Sequence, residues 1–202
     1  MAAPTYRSSS TASRPVAAAL TCAAVTTEAE RCAHFRIRHQ VFVVEQGLFG
    51  GARGGHDTDA RDGDPATIHV IGRADETICG TVRLYPIGPA GRWKGDRLAV
   101  LADYRHLGLG APLVRFAVSS AARLGGREME AFIQPANVAF FRWLGWRPAG
   151  GLVDYAGIPH QRMRIDLIDR IDVNDQNGTL TACARMAVIS VRAVAVSGRC
   201  RA

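Results

Sequence analysis

The chain holds 202 residues, 48% hydrophobic and 21% charged, with a formal net charge of +7, a composition that fits one soluble globular domain with a real core. Residues 25–169 carry 18 Lys and Arg against 16 Asp and Glu, so most of the positive excess sits in the terminal segments and a basic nucleic-acid face is not expected. No apolar run approaches the roughly 18 residues of a membrane span, and Cys22, Cys32, Cys79, Cys183 and Cys200 contain no CxxC pair, which speaks against a zinc site or disulfide framework and for a reducing, cytoplasmic setting.

Residues 1–24, rich in Ala, Ser and Thr, read as a disordered extension, with a targeting peptide as the alternative. The folded domain is expected over residues 25–169. Thr27-Glu28-Ala29-Glu30 fits a capping box, and Ala29, Ala33, Ile37, Val41 and Val44 follow at helical spacing. A first helix should therefore run toward Gln46-Gly47, unless its Val-Phe-Val-Val end is extended. Residues 47–65, dense in Gly and Asp, read as a long loop of the kind that borders substrates. Residues 67–72 and 77–85 predict an antiparallel hairpin, residues 86–95 a Gly/Pro-rich loop, and residues 97–101 a short strand. Leu109, Leu113, Phe116, Ala117, Ala121 and Leu124 form one helical face that stops at Gly125-Gly126. Residues 128–133 alternate as a half-buried strand with Glu130 outward; residues 136–144 read as a short aromatic helix, and residues 161–167 alternate again. This order predicts an α/β fold, a mixed central sheet with helices packed on it. Residues 170–202 lose the pattern, and the apolar stretch 186–196 reads either as an added edge strand or as a tail outside the fold.

The chemistry centres on Arg105, His106, Leu107, Gly108, Leu109, Gly110 and Ala111, between a strand and a helix. Unpaired amides and the helix dipole favour an anion there, and glycines let phosphate oxygens approach the backbone. Arg105 adds a permanent cation, and Pro112 falls in the first turn, where its missing N–H costs little. Alone, a Gly-x-Gly of this kind also fits a simple turn.

Its surroundings add more. The run from Arg97 to Ala111 resembles motif A of the GCN5-related N-acetyltransferases (GNAT), with Gly80-Thr81-Val82-Arg83-Leu84 similar to the strand before it and Asn137 to Trp146 similar to motif B. Arg38-His39-Gln40-Val41-Phe42-Val43-Val44-Glu45-Gln46, then Asp57-Thr58-Asp59 and Gly157-Ile158-Pro159-His160, resemble ElaA-like and nitrogen-starvation-associated members. The resemblance implies the GNAT fold, with a splayed parallel strand pair that admits pantetheine, and acetyl-CoA as cosubstrate for acylating a small primary amine. It further implies pantetheine contacts from Leu98, Ala99 and Val100, pyrophosphate contacts from Arg105 to Ala111, and cofactor contacts from Gln134 and Asn137. No metal is expected, and a homodimer is compatible with the pattern. A non-catalytic acyl-CoA sensor is the principal alternative; acyl-homoserine-lactone synthesis ranks below it, because those enzymes lack so clear a motif A.

Acyl transfer needs a base for the ammonium and an acid for the leaving thiolate. Where the family often has a Tyr acid, this chain has Phe141, so Tyr104, Tyr155 and His160 become the acid candidates. For the base, Glu45, Asp57, Asp59, Asp96 and Glu130 are candidates. Glu45 stands out because it ends an apolar run that could raise its pKa, and His160 titrates near neutrality. Glu45, Tyr155 and His160 are thus the selected catalytic set, and the Asp57/Asp59 loop suggests a cationic acceptor. Cys79 reads as packing, since no adjacent His would activate it.

Overall fold

The computed structural model describes residues 18–50, 55–155 and 157–167, so the expectations for residues 170–202 lie outside the described residues. Its first element corrects the expected boundary: Leu20–Ala24 form a strand, β1, where a disordered extension was expected. Leu20, Cys22 and Ala24 are half-buried while Thr21 and Ala23 are exposed, a period-2 pattern too short to stand out in an Ala-rich stretch. Helix α1 (Glu28–Arg38) starts on the expected capping box: Glu30 N–H donates to Thr27 Oγ1 at 3.2 Å and Thr27 N–H donates to Glu30 Oε2 at 3.2 Å. The backbone amide of Thr26, then burial opposing it and the Arg73 side chain, leave the Glu30 carboxyl lowered to about 2. The helix continues as a π-turn, His39–Glu45, in which Gln46 N–H donates to Val41 O, so the Val-rich end is helical but wider than an α-helix.

The hairpin is β2 (Ile68–Ala74) with β3 (Thr77–Pro86), antiparallel as expected. Strand β4 (Arg92–Val100) begins inside the stretch expected to be a Gly/Pro loop. Its buried positions are Trp93, Gly95, Arg97 and Ala99, and a Gly and an Arg among the inward residues hid the alternation. Helix α2 (Gly110–Arg123), strand β5 (Glu128–Ile133) and the short helix α3 (Val138–Trp143) follow where the periodicity placed them. Two strands complete the described chain: β6 (Arg147–Tyr155), not foreseen, and β7 (Ile158–Asp166). β6 pairs with β7 alone and is mostly exposed, so it lacks a hydrophobic signature.

The seven strands form one mixed sheet in the order β1-β2-β3-β4-β5-β7-β6, with β4 and β5 the parallel pair. The two faces are chemically unlike. Gly72, Gly80, Val82 and Leu84 share the main apolar core with Leu109, just before α2, and with Leu113, Ala117 and Ala121 of α2. A Cβ on Gly80 would lie 2.8 Å from Leu113 Cδ1, so the glycines are what let α2 settle onto the strands. The opposite face, under α1, has only a small apolar cluster of Ile37, Val41 and Ala99, and beside it lies a set of buried charges.

Candidate active site

Three arginines and four aspartates organise the charged face. Arg38 and Arg83 have no exposed side-chain surface. Arg38 donates to Asp57 Oδ2 at 2.7 Å and Asp62 Oδ1 at 2.6 Å. Arg83 spans Asp96 with two bonds of 2.8 Å and reaches Asp59 at 2.8 Å and Asp62 at 2.7 Å. Arg97 donates to the Asp57 carbonyl at 3.0 Å and Asp59 Oδ2 at 3.3 Å, and its Nε lies 3.3 Å from Asp57 Oδ2. Burial alone would push Asp62 and Asp59 up, but Arg38 and Arg83 hold Asp62, and Arg83 and Arg97 hold Asp59, below the usual carboxylate range. The sequence signal for this network was the Asp-rich loop. Its carboxylates are taken by arginines, so Asp57 and Asp59 are not free to face an acceptor as the sequence suggested.

The network supports an irregular β4. Opposite Thr81 and Arg83, β4 carries one extra residue, and Arg97 sits there at φ 53, a left-handed conformation costly for a non-glycine residue and stable only where its surroundings hold it. Pairing with β5 ends at Lys94↔Glu130, after which the two strands part. Gly95 marks the point: a Cβ there would lie 2.7 Å from Met129 Cε. The expected splay is therefore present, and Leu98, Ala99 and Val100 follow the divergence.

A cavity occupies this gap. Lys94, Asp96, Arg97 and Leu98 line it from β4 and Phe132 and Ile133 from β5, and Gln134, Asn137, Phe141, Trp146, Phe42, Gln46, Tyr155 and His160 complete the lining. Gln134 Nε2–H donates to Gln46 Oε1 at 3.2 Å, so two expected motif residues meet at its rim. Phe141 is core, edge-on to Trp146 with centroids 5.4 Å apart. Tyr155 and His160 are brought together, edge to face with centroids 5.5 Å apart. Arg97 Nη1–H donates to Tyr155 Oη at 3.0 Å, which leaves the phenol's own proton for another acceptor. His160 Nδ1 lies 2.8 Å from the Ile158 carbonyl; a carbonyl only accepts, so Nδ1 carries a proton, and in the neutral ring Nε2 is the acceptor.

The glycine loop lies beyond the cavity lining. Residues Ala102–Leu107 form a 3₁₀ turn, Gly108 takes φ 77, and α2 begins at Gly110. The positive φ is the position that needs glycine. Arg105 is not a free cation: its Nε–H donates to the Val100 carbonyl at 3.0 Å and its Nη2–H to Glu45 Oε2 at 2.6 Å. The Arg105 hydrogen bond holds the Glu45 carboxyl below its ordinary value, the reverse of the raised pKa expected of a base, and Glu45 is outside the cavity lining. Glu130 also departs from expectation. It is buried, not facing water, with Arg162 Nε–H donating at 3.1 Å and Arg92 Nη2–H at 3.2 Å. Tyr104 packs against the apolar core on the other face.

Cys79 is buried packing with a free thiol, as expected, and Cys22 is free too. Burial, then the neighbouring Cys79, pushes the Cys22 thiol up to about 12, far from nucleophilic. Among the described residues no three His, Cys, Asp or Glu side chains are grouped to hold a metal, and no helix is long and apolar enough to cross a membrane.

Comparison with known proteins agrees with this geometry. The family model described as Acetyltransferase (GNAT) family matches residues 35–146. A protein of Bacillus subtilis (strain 168) that carries a provisional acetyltransferase name is 30% identical over 139 residues, covering 69% of this chain and 91% of its own. Among solved structures, Escherichia coli ElaA has a TM-score of 0.61 at 18% identity, covering 73% of this chain and 98% of its own. The CoA-dependent acyl-homoserine lactone synthase BjaI, solved with SAM and isopentyl-CoA, has a TM-score of 0.64 at 20% identity, covering 76% of this chain and 87% of its own. The chain belongs to the acetyltransferase (GNAT) family, and it is an acyl-CoA-dependent acyltransferase.

Proposed function

Taking a GNAT-family acyltransferase as the premise, we propose that the protein moves an acetyl group from acetyl-CoA directly to the primary amine of a small molecule. The observation that carries this reading is the junction at the β4–β5 splay. There a helix-start glycine loop lies outside the lining of a cavity to which a phenol and an imidazole both contribute. β4 edge groups left unpaired beyond Lys94 are suited to the pantetheine amides, and the first amides of α2 to the pyrophosphate.

His160 Nε2 accepts one proton from the ammonium and frees its lone pair. The nitrogen attacks the thioester carbon, the C–N bond forms, and charge gathers on the carbonyl oxygen. As the intermediate collapses the C–S bond breaks, and Tyr155 gives its proton to the thiolate. The proton then shed by the nitrogen restores the phenol, so the balance is one amide, one thiol and one proton released through His160. Arg97, donating to Tyr155 Oη, fixes the phenol's orientation and leaves its own proton to be given. Phe141 is then no obstacle, since the acid comes from β6 instead of α3.

An amine panel with acetyl-CoA, read as free thiol, tests this. Steady thiol release that depends on the amine is the expected result. Tight acetyl-CoA binding with no thiol released from any amine would refute catalysis of this transfer.

A further inference from the structure

We infer that the acceptor carries a carboxylate close to its amine and that Lys94 receives it; this rests on the acyl-transfer reading. Lys94 is a cavity residue whose ammonium lies 4.2 Å from the Phe132 ring centroid and 5.9 Å from that of Tyr155. Among the described residues it makes no ion pair. Glu130, its partner in the strand register, is held by Arg162 and Arg92. Asp96, two residues along β4, is spanned by Arg83 and also accepts from Tyr85 Oη at 3.1 Å. Asp96 is also the single carboxylate of the lining, against the cations Lys94 and Arg97.

Such a pocket is poorly suited to a simple cationic amine, which would meet an unpaired ammonium. It suits an amine whose own anion neutralises Lys94. Because Lys94 lies over Tyr155, a carboxylate held there places a nearby amine beside Tyr155 and His160. The aromatic faces of Phe132 and Tyr155 hold the lysine in place by cation–π contact, so the charge is positioned before the substrate arrives. An amine with a phosphonate would satisfy the same cation, and the shorter, planar carboxylate is the better fit to a single ammonium flanked by two rings.

The test compares three sets of probes on the CoA-loaded protein and in the acetyl-CoA thiol assay. These are free α-amino acids, their α-amides with the decarboxylated amines, and aminoalkyl phosphonates. The expected result is binding and kcat/KM at least about tenfold better for the free acids than for the capped or decarboxylated forms. Lys94→Met should collapse that ratio through KM, and Lys94→Glu should invert it. Equal or better binding of the amides, a preference for phosphonates, or a ratio unchanged in Lys94→Met would overturn the inference. Because binding is read on CoA-loaded protein, a lack of turnover with every probe would count against acyl transfer and leave the binding comparison to decide the role of Lys94.

Discussion

The two faces of the central sheet solve the same packing problem by different chemistry. Under α2 the strands offer glycines and aliphatic residues, and the helix is held by burial of Leu and Ala. Under α1 the same strands offer Thr81, Arg83 and Arg97, and loop aspartates fold over them. Buried ion pairs add little net stability against an apolar alternative, yet breaking one is costly because the partner is left charged and dry. A network of this sort holds position more than it adds stability, and what it holds here is the β4 bulge and Tyr155. The apolar face carries stability; the charged face carries geometry.

The largest test is Arg83→Met, which takes from Asp59, Asp62 and Asp96 the guanidinium they share. It should cost about 3–5 kcal/mol by urea denaturation, and a loss under about 1 kcal/mol would show that the network is not one unit. On the other face Leu113→Ala should cost about 3 kcal/mol while leaving kcat per folded molecule unchanged; a matching fall in kcat would blur the division of labour. Tyr155→Phe should fold as the wild type and lose about 100-fold in kcat, roughly 2.7 kcal/mol of barrier. Arg105→Ala should weaken acyl-CoA binding about tenfold, roughly 1.4 kcal/mol by calorimetry, whereas Glu45→Ala should leave it unchanged or tighter by removing a competitor for Arg105. If both variants weaken binding alike, Arg105 is a clasp and not a phosphate ligand.

Acid should also separate the faces. His34 is fully buried against Arg38 and His69, and burial, then the Arg38 charge, lowers it to about 3; burial lowers His69 as well. The unfolded chain therefore takes up protons first as pH falls below the ordinary histidine value, and the folded state is penalised. Stability from His34 is complete above about pH 6.5 and is lost toward the folded value, with about 1 kcal/mol gone between pH 6.5 and 5.5. Asp62 and Asp59 are held low and contribute their loss only at more acid pH. A melting temperature flat from pH 7.5 to 5 would contradict this account of the α1 face.

Much of this molecule was legible from spacing. The capping box at Thr27, the β2–β3 hairpin, the α2 face and the glycine turn at Gly108 are local patterns, and local sterics and hydrogen bonding settle them. The elements that escaped notice are β1 and β6, which are edge strands with little apolar alternation, and the first half of β4, whose inward residues include Gly95 and Arg97. The site divides the same way. The glycine turn and the place of the splay were readable as motifs, because backbone conformation there depends on residues a few positions apart. The partners of Glu45, Asp57, Asp59 and Glu130 were not, because each is an arginine distant in the chain or on another strand, and a carboxylate's role is set by which cation the fold delivers to it. So the chain's own pattern determined the family fold and the helix start suited to CoA. Only tertiary packing decided that Glu45 is tied to Arg105, that Tyr155 and His160 share the cavity, and that Lys94 stands there with no acid paired to it among the described residues.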